Sequence, residues 1–210
     1  MKLAYTIFFF LINQCLFAQI HAITETGQEV ILKPDSTWTY KNNLEESIKE
    51  IPKNEAIFEK AAENSFLVKS KVFDIGVWIN PKEWSFEKST LNQYAEYQFV
   101  KKSLNSWAML ITEPVTIELE MLGDVAYANA KSGAQGLTKD LEEYRTVNGE
   151  EILCVKMSGI VQGVDLTYIG YYYSNEKGTM QMLTWCYSQE FEKLKEDNLK
   201  FLNGLVVLKE

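Results

Sequence analysis

Residues 138–187 read TKDLEEYRTV-NG-EEILCVKMSGIV-QG-VDLTYIGYYYS-NEKG-TMQMLTWCY. Asn148-Gly149 is a strong two-residue hairpin signal, because both positions tolerate positive φ. Gln162-Gly163 and Asn175-Glu176-Lys177-Gly178 supply two further turns. The segments between them (Thr138–Val147, Glu150–Ile160, Val164–Ser174 and Thr179–Tyr187) are rich in β-branched and aromatic residues. Together they predict a four-stranded antiparallel meander.

Working outward, Ser188 offers an N-cap, and Phe191, Leu194, Phe201, Leu202 and Leu205 form the stripe of a terminal helix, with Gly204 near its C-cap. Upstream, Val115, Leu119, Leu122, Ala126 and Ala130 give a second helical stripe within Val115–Lys131, closed by the loop Lys131–Gly136. Pro114 marks the change of structure before it. Phe66–Phe73, Gly76–Ile79, Tyr94–Lys101 and Ser106–Thr112 read as further strands. Residues 65–210 are therefore expected to form one α+β domain, an antiparallel β-sheet covered by the middle and terminal helices. Residues 19–40 alternate as a small N-terminal β-meander with a turn at Lys33-Pro34-Asp35-Ser36. Residues 41–64 read as a polar linker or loose helix interrupted by Pro52.

Gly76-Val77-Trp78-Ile79-Asn80-Pro81-Lys82-Glu83-Trp84 is an apolar strand running into a Pro turn and a Trp. A middle helix and a hairpin meander follow. Tyr168-Ile169-Gly170-Tyr171-Tyr172 and Met180–Trp185 then precede an amphipathic helix ending at Asn203-Gly204-Leu205. In this order residues 65–208 resemble the PsbP-like family of exported or organelle-targeted α/β/α sandwiches. The resemblance implies a non-catalytic accessory or binding protein, and it brings no catalytic residues to carry over. The 19–40 segment resembles a short apolar-strand, turn, Thr-Trp-x-Tyr element found near the start of many exported bacterial proteins.

Residues 1–18 have the form of an export signal. Lys2 gives a positive start, Ala4–Ile12 an apolar run of the right length, and Ala18 a small residue for cleavage, with Ala22 as a later site. The run is broken by Asn13 and Gln14 and is too short to span a bilayer. Cys15 raises a lipid anchor as an alternative, but Ile12-Asn13-Gln14 lacks the small residues expected before a lipidated cysteine. A periplasmic or secreted location follows as the expectation.

The chain has 21 Lys+Arg against 29 Asp+Glu, a net charge of −8, and Arg145 is its sole arginine. Such a chain repels phosphate backbones, which disfavours nucleic acid as a partner. His21 is the single histidine. Nucleophilic catalysis through Ser-His or Cys-His pairs and zinc chemistry both need a folded-in imidazole, so neither these nor any other cofactor or metal is expected.

Export invites a disulfide between Cys154 and Cys186. A turn centred on Gln162 would place Cys154 opposite Gly170, and a turn centred on Glu176 and Lys177 would place Gly170 opposite Leu183. Cys186 then lies three residues further along and one strand further across, about 14 Å away and on the opposite face. A disulfide needs Cα atoms within about 7 Å, so both thiols are expected free and buried. Lys156 near Cys154 raises a thiolate nucleophile as the sharper alternative.

Among the aromatic residues of the meander, Tyr168 and Tyr172 share one face. Tyr171, Tyr173, Trp185 and Tyr187 are assigned to the other, as an aromatic binding surface for a protein, peptide or glycan. Glu118 with Glu120, and Glu142 with Glu143, are the carboxylate pairs that a glycan hydrolase of the envelope would need. Nothing in their context separates them from a solvated face. The expected product is thus an exported, non-catalytic binding or accessory protein of the bacterial cell envelope, with a carboxylate-dependent hydrolase as the alternative.

Overall fold

Two tight turns set the frame of the molecule. In the computed structural model Asn148-Gly149 has φ of 50° and 88°, and Gln162-Gly163 has φ of 51° and 82°. Paired positive φ values are the mark of type I′ turns, whose twist matches that of the strands they join. The structure describes residues 20–23, 29–32, 36–40, 50–90, 92–103 and 106–208. The export signal at 1–18 with Cys15, and residues 41–49 of the expected linker, lie outside the described residues.

The chain divides into Met1–Lys49 and Glu50–Glu210. In the first unit β1 (Ile20–Ile23), β2 (Glu29–Leu32) and β3 (Trp38–Tyr40) pair antiparallel in chain order, with Val30 opposite both Ala22 and Tyr40. This is the meander read from the alternation.

The second unit holds β4 (Lys53–Phe58), β5 (Phe66–Lys69), β6 (Ile75–Ile79), β7 (Trp84–Lys88), β8 (Ala95–Lys101) and β9 (Ser106–Glu113). Helix α1 (Leu119–Gly133) follows, then β10 (Ala134–Val147), β11 (Glu150–Val161), β12 (Val164–Asn175) and β13 (Gly178–Tyr187). A short 3-10 turn at Ser188–Glu190 leads into α2 (Phe191–Leu202) and β14 (Leu205–Val207). Eight strands form the main sheet in the order β4-β10-β11-β12-β13-β9-β8-β7, and β14-β6-β5 form a second, smaller one.

Several expectations need correction. Residues 50–64 are not linker, because β4 pairs parallel with the edge of β10, and the Tyr144 N–H donates to the Pro52 carbonyl. Pro52 precedes an edge strand, where its missing N–H costs nothing. The middle helix starts at Leu119, since Glu118 is still extended (φ −57°, ψ 141°). Ser188 does not cap the last helix. Its Oγ donates to Asp165 and accepts from Thr167, and α2 begins three residues later. The short β14 was not foreseen.

Helix α2 and the small sheet cover one face of the main sheet. Ile152, Tyr171, Met180 and Met182 meet Phe201 and Leu202 of α2 and Val77 and Ile79 of β6, all essentially buried. Each such side chain stabilises by about 1.5–3 kcal/mol when removed from water. Trp84 of the Pro-turn motif lies 4.3 Å (centroids) from Phe201, so that motif serves the core. On the other face Leu122 and Ala126 of α1 pack on Leu153, Val155, Met157 and Tyr172 of β11 and β12.

The cysteine argument also changes. Because Gln162-Gly163 is a two-residue turn, Val161 pairs with Val164 and Cys154 with Tyr171, not Gly170. Tyr171 pairs with Met182, four residues from Cys186. An even offset puts both thiols on the α2 face, not on opposite faces. Both are free and buried. Burial pushes the Cys154 thiol up to about 12, overriding the nearby Arg145, and the Cys186 thiol up to about 11.

Three predictions follow from this packing. Gly204→Ala would put a Cβ 2.0 Å from the Trp78 carbonyl oxygen, where the Gly204 carbonyl already accepts the Trp78 N–H. It is expected to destabilise by about 3 kcal/mol in denaturant melts, whereas Gly133→Ala meets nothing within 4 Å and should stabilise by about 0.5–1 kcal/mol. Cys154 and Cys186 should resist a disulfide-exchange reagent at pH 8 in the native state and react on denaturation; fast native reaction of either contradicts the burial. A thiol raised from about 8.5 on folding keeps its proton in the native state longer than in the unfolded one. Stability should therefore fall as pH rises above about 8.5, by about 1.4 kcal/mol per unit per thiol, and Cys→Ala variants should flatten that slope.

Candidate functional site

The four aromatic residues assigned to one face do not share it. Tyr171 and Tyr173 are buried on the α2 side. The Tyr171 hydroxyl donates to Asn203 Oδ1 (2.7 Å) and accepts from Arg145 Nη1 (3.2 Å). Register explains the separation. Trp185 pairs directly with Tyr168, and directly opposite residues project to the same face. Trp185 and Tyr187 therefore stand on the α1 face with Tyr168, away from Tyr171 and Tyr173.

The strand pairings build a continuous row across that face. Lys139 pairs with Met157, Met157 with Tyr168, Tyr168 with Trp185, Trp185 with Trp107, Trp107 with Val100, and Val100 with Ser85. Neighbouring strands are about 4.8 Å apart, so Tyr168, Trp185 and Trp107 span about 10 Å of backbone in line. The Tyr168 and Trp185 rings stack at 6.1 Å, and Tyr187 meets Trp107 edge-on at 5.8 Å. All four are partly exposed. Helix α1 packs over β10, β11 and β12, while Trp185, Trp107 and Val100 carry the row onto β13, β9 and β8 beyond it. Val100 and Val164 on the same face are exposed. The next row, Leu183, Met109, Gln98 and Glu87, ends in a polar rim where Gln98 donates to Glu87 (2.6 Å).

Trp107 was missed as a site residue because its membership depends on β9 pairing with β13, a contact between residues almost 80 positions apart. The available signal was local. A Trp in an alternating strand, followed by Ala108 and Leu110 on the opposite parity, already implies a large ring on the less buried face.

The carboxylate pairs do not make an acid–base site. Glu142 and Glu143 are consecutive in β10 and project to opposite faces. Glu142 is held by Lys139, and Glu143 accepts from Arg145 Nε at 2.6 Å. Glu120 accepts from the Tyr144 hydroxyl at 2.9 Å. Lys156 does not activate Cys154, since its Nζ sits over the Phe191 ring, 3.6 Å from Asp140. Among the described residues no group of three or more His, Cys, Asp or Glu could hold a metal ion. No helix of the described residues is long and apolar enough to cross a membrane.

No protein-family profile matches the chain, and no curated protein matches it. Solved structures do. Cyanobacterial PsbP from Synechocystis sp. PCC 6803, known from its solution structure, superposes with a TM-score of 0.52 at 11% identity, covering 68% of this chain and 91% of that one. A crystal structure from Bacteroides thetaiotaomicron VPI-5482 gives 0.47 at 9% identity, covering 70% of this chain and 50% of that one. A Pseudomonas aeruginosa protein of unknown function gives 0.44 at 9% identity, covering 70% and 100%. The chain is thus similar in fold to cyanobacterial PsbP, with helices packed on the sheet in the PsbP-like α+β manner.

Proposed function

We propose that this is an exported, non-catalytic accessory protein of the cell envelope that docks a protein or peptide partner on the Tyr168–Trp185–Trp107–Tyr187 face. The single observation that carries the reading is the asymmetry of cover. One face of the main sheet is closed by α2 and the small sheet, and the other leaves an aromatic row in reach of solvent. Tyr and Trp give large, rigid contact area with a polar tip, the composition of interface hot spots.

A protein surface fits this row better than a glycan. Sugar rings need hydrogen-bonding side chains between their aromatic platforms, and the residues beside the three rings are Leu166, Leu183 and Met109, with Gln98 and Glu87 only at the far edge of the sheet. The hydrolase alternative needs two acids facing one pocket, and Glu142 and Glu143 are each ion-paired and project to opposite faces of the sheet. The signal-like residues 1–18 support export, and the PsbP-like fold agrees with an accessory role.

The test is capture from envelope extract by the wild type, a Trp107→Ala/Trp185→Ala double variant, and Lys193→Ala on the exposed side of α2 as a control. Loss of two central aromatic anchors should weaken binding by at least thirtyfold, about 2 kcal/mol each being typical of hot spots. Lys193→Ala should bind as the wild type does. Equal capture by the double variant would refute the aromatic face as the docking surface. Binding of soluble peptidoglycan fragments, read from Trp fluorescence, would replace the protein partner with a glycan.

A further inference from the structure

We propose that the open edge of β7 is a second docking site, which takes up an acidic, extended peptide segment as an added antiparallel strand. β7 ends the main sheet, with β8 on one side and no strand of the described residues on the other. The hydrogen bonds at its two ends fix which groups point outward. The Lys102 N–H donates to the Glu83 carbonyl, and the Ser89 N–H donates to the Glu96 carbonyl. Bonded positions of an antiparallel pair recur every second residue, so Ser85 and Glu87 also turn their amides to β8. Phe86 and Lys88 turn theirs to the open edge. The Trp84 N–H is already taken by the Asn80 carbonyl, so strand addition begins at Phe86.

Beside that edge lies an apolar hollow of about 240 Å³, lined by Phe66, Ile79, Pro81, Trp84, Ser85 and Phe86. A cavity of about 150 Å³ holds a benzene ring, so the hollow has room for one large side chain. Phe66 of β5 and Phe86 of β7 stand with ring centroids 5.6 Å apart, and both are exposed, at 46% and 39%. Edge strands are normally kept single by charges or proline, and a pair of exposed phenylalanines does the reverse. A residue directly opposite Phe86 in an added strand projects to the same face, into this hollow. Main-chain bonds then give affinity and the hollow gives specificity.

Charge sets the rest of the partner's chemistry. Residues 66–102 carry six lysines and four acids, a positive stretch in a chain of net charge −8. Lys82, next to Pro81, and Lys88, on the same face as Phe86, are exposed. Neither side chain has an ion pair among the described residues. Glu87 faces the other side, held by Gln98, and Glu96 accepts from the Ser70 and Thr112 hydroxyls. In an antiparallel addition the residue opposite Lys88 comes two positions before the one opposite Phe86. The segment therefore reads acid, any residue, large apolar residue, with the acid opposite Lys88. Ser85 is the one lining residue shared with the aromatic row, at its end two strands beyond Trp107.

The test uses the full chain and the blocked peptide acetyl-Thr-Thr-Glu-Thr-Phe-Thr-Thr-amide, with hydrogen exchange of backbone amides read by NMR. Saturating peptide should slow exchange of the Phe86 and Lys88 amides at least tenfold and leave Ser85 and Glu87, already bonded to β8, unchanged. Replacing the peptide's Glu by Lys should weaken binding about tenfold, and replacing its Phe by Ala at least tenfold. Methylating the nitrogen of the peptide's Phe removes the N–H that would donate to the Phe86 carbonyl and should abolish binding. Methylating the nitrogen of the Thr that follows should not. Lys88→Glu should reverse the preference between the Glu and Lys peptides, and Trp107→Ala/Trp185→Ala should bind as the wild type does.

Unchanged exchange at Phe86 and Lys88 overturns the site. Equal affinity for the Glu and Lys peptides in the wild type overturns the acidic partner, without needing any variant to fold. Binding lost in the double Trp variant overturns the site by moving the peptide to the aromatic face. Slow exchange at both amides without peptide, in a chain that sediments as a dimer, overturns the peptide in favour of a second copy.

Discussion

The register fixed at the Gln162-Gly163 turn is the constraint on which the rest of the molecule depends. Gln162 holds φ at 51°, a left-handed backbone that a non-glycine residue adopts at a small cost, and Gly163 completes the turn at 82°. That pair locks Val161 against Val164, and every pairing of β11 with β12 follows from it. A slip of one residue would invert β11 relative to β12. Cys154 would leave the α2 core, and Met157 would leave the row that ends in Trp107. The two faces of the sheet hold chemically different residues only because this turn has two residues and not three.

The second constraint is geometric. Eight strands at about 4.8 Å make a sheet about 34 Å wide, and one helix with its side chains is about 10–12 Å across. A single helix can close little more than two or three strands. On one face the chain solves this with α2 together with a three-stranded sheet held by β14, whose Val206 pairs with Gly76 of β6. On the other face, among the described residues of Glu50–Glu210, α1 alone is seated over β10–β12. The aromatic row beyond α1 is therefore a consequence of layer count. Strands β13, β9 and β8 must present something there, and this chain presents Trp185, Trp107 and Val100.

This division also explains what could be read from the sequence. Local chemistry was legible: Asn148-Gly149 marked its hairpin, the apolar stripes marked both helices, and alternation marked most strands. What failed was anything needing a count across a turn or a pairing across the chain. Reading Gln162 as a turn centre moved Cys154 by one residue and so to the wrong face. Trp185 and Tyr187 were grouped with Tyr171 although Trp185 sits opposite Tyr168. Strand β4 hid in a polar stretch because it is an exposed edge strand, with charged residues where a buried strand would be apolar. Helix α1 begins later than its stripe because Val115 continues the apolar spacing although residues 115–118 are not helical and Glu118 is extended.

Tyr171 and Tyr172 show how far this fold goes to satisfy its interior. They are neighbours in one strand and equally buried, and they face opposite layers. Tyr171 sits in a complete network: Arg145 donates to its hydroxyl, Asn203 accepts from it, and Glu143 neutralises the arginine, whose guanidinium also lies 4.7 Å from the Phe58 ring centroid. Such a network is fixed in place because each member is held by the others. Tyr172 has none of this: its hydroxyl is buried on the α1 side with no hydrogen-bond partner among the described residues. A buried phenol without a partner costs about 1–3 kcal/mol, so this position is a local weakness that the packing around it offsets. The two tyrosines thus mark the two faces of the main sheet, one packed under α2 and the small sheet and the other under α1.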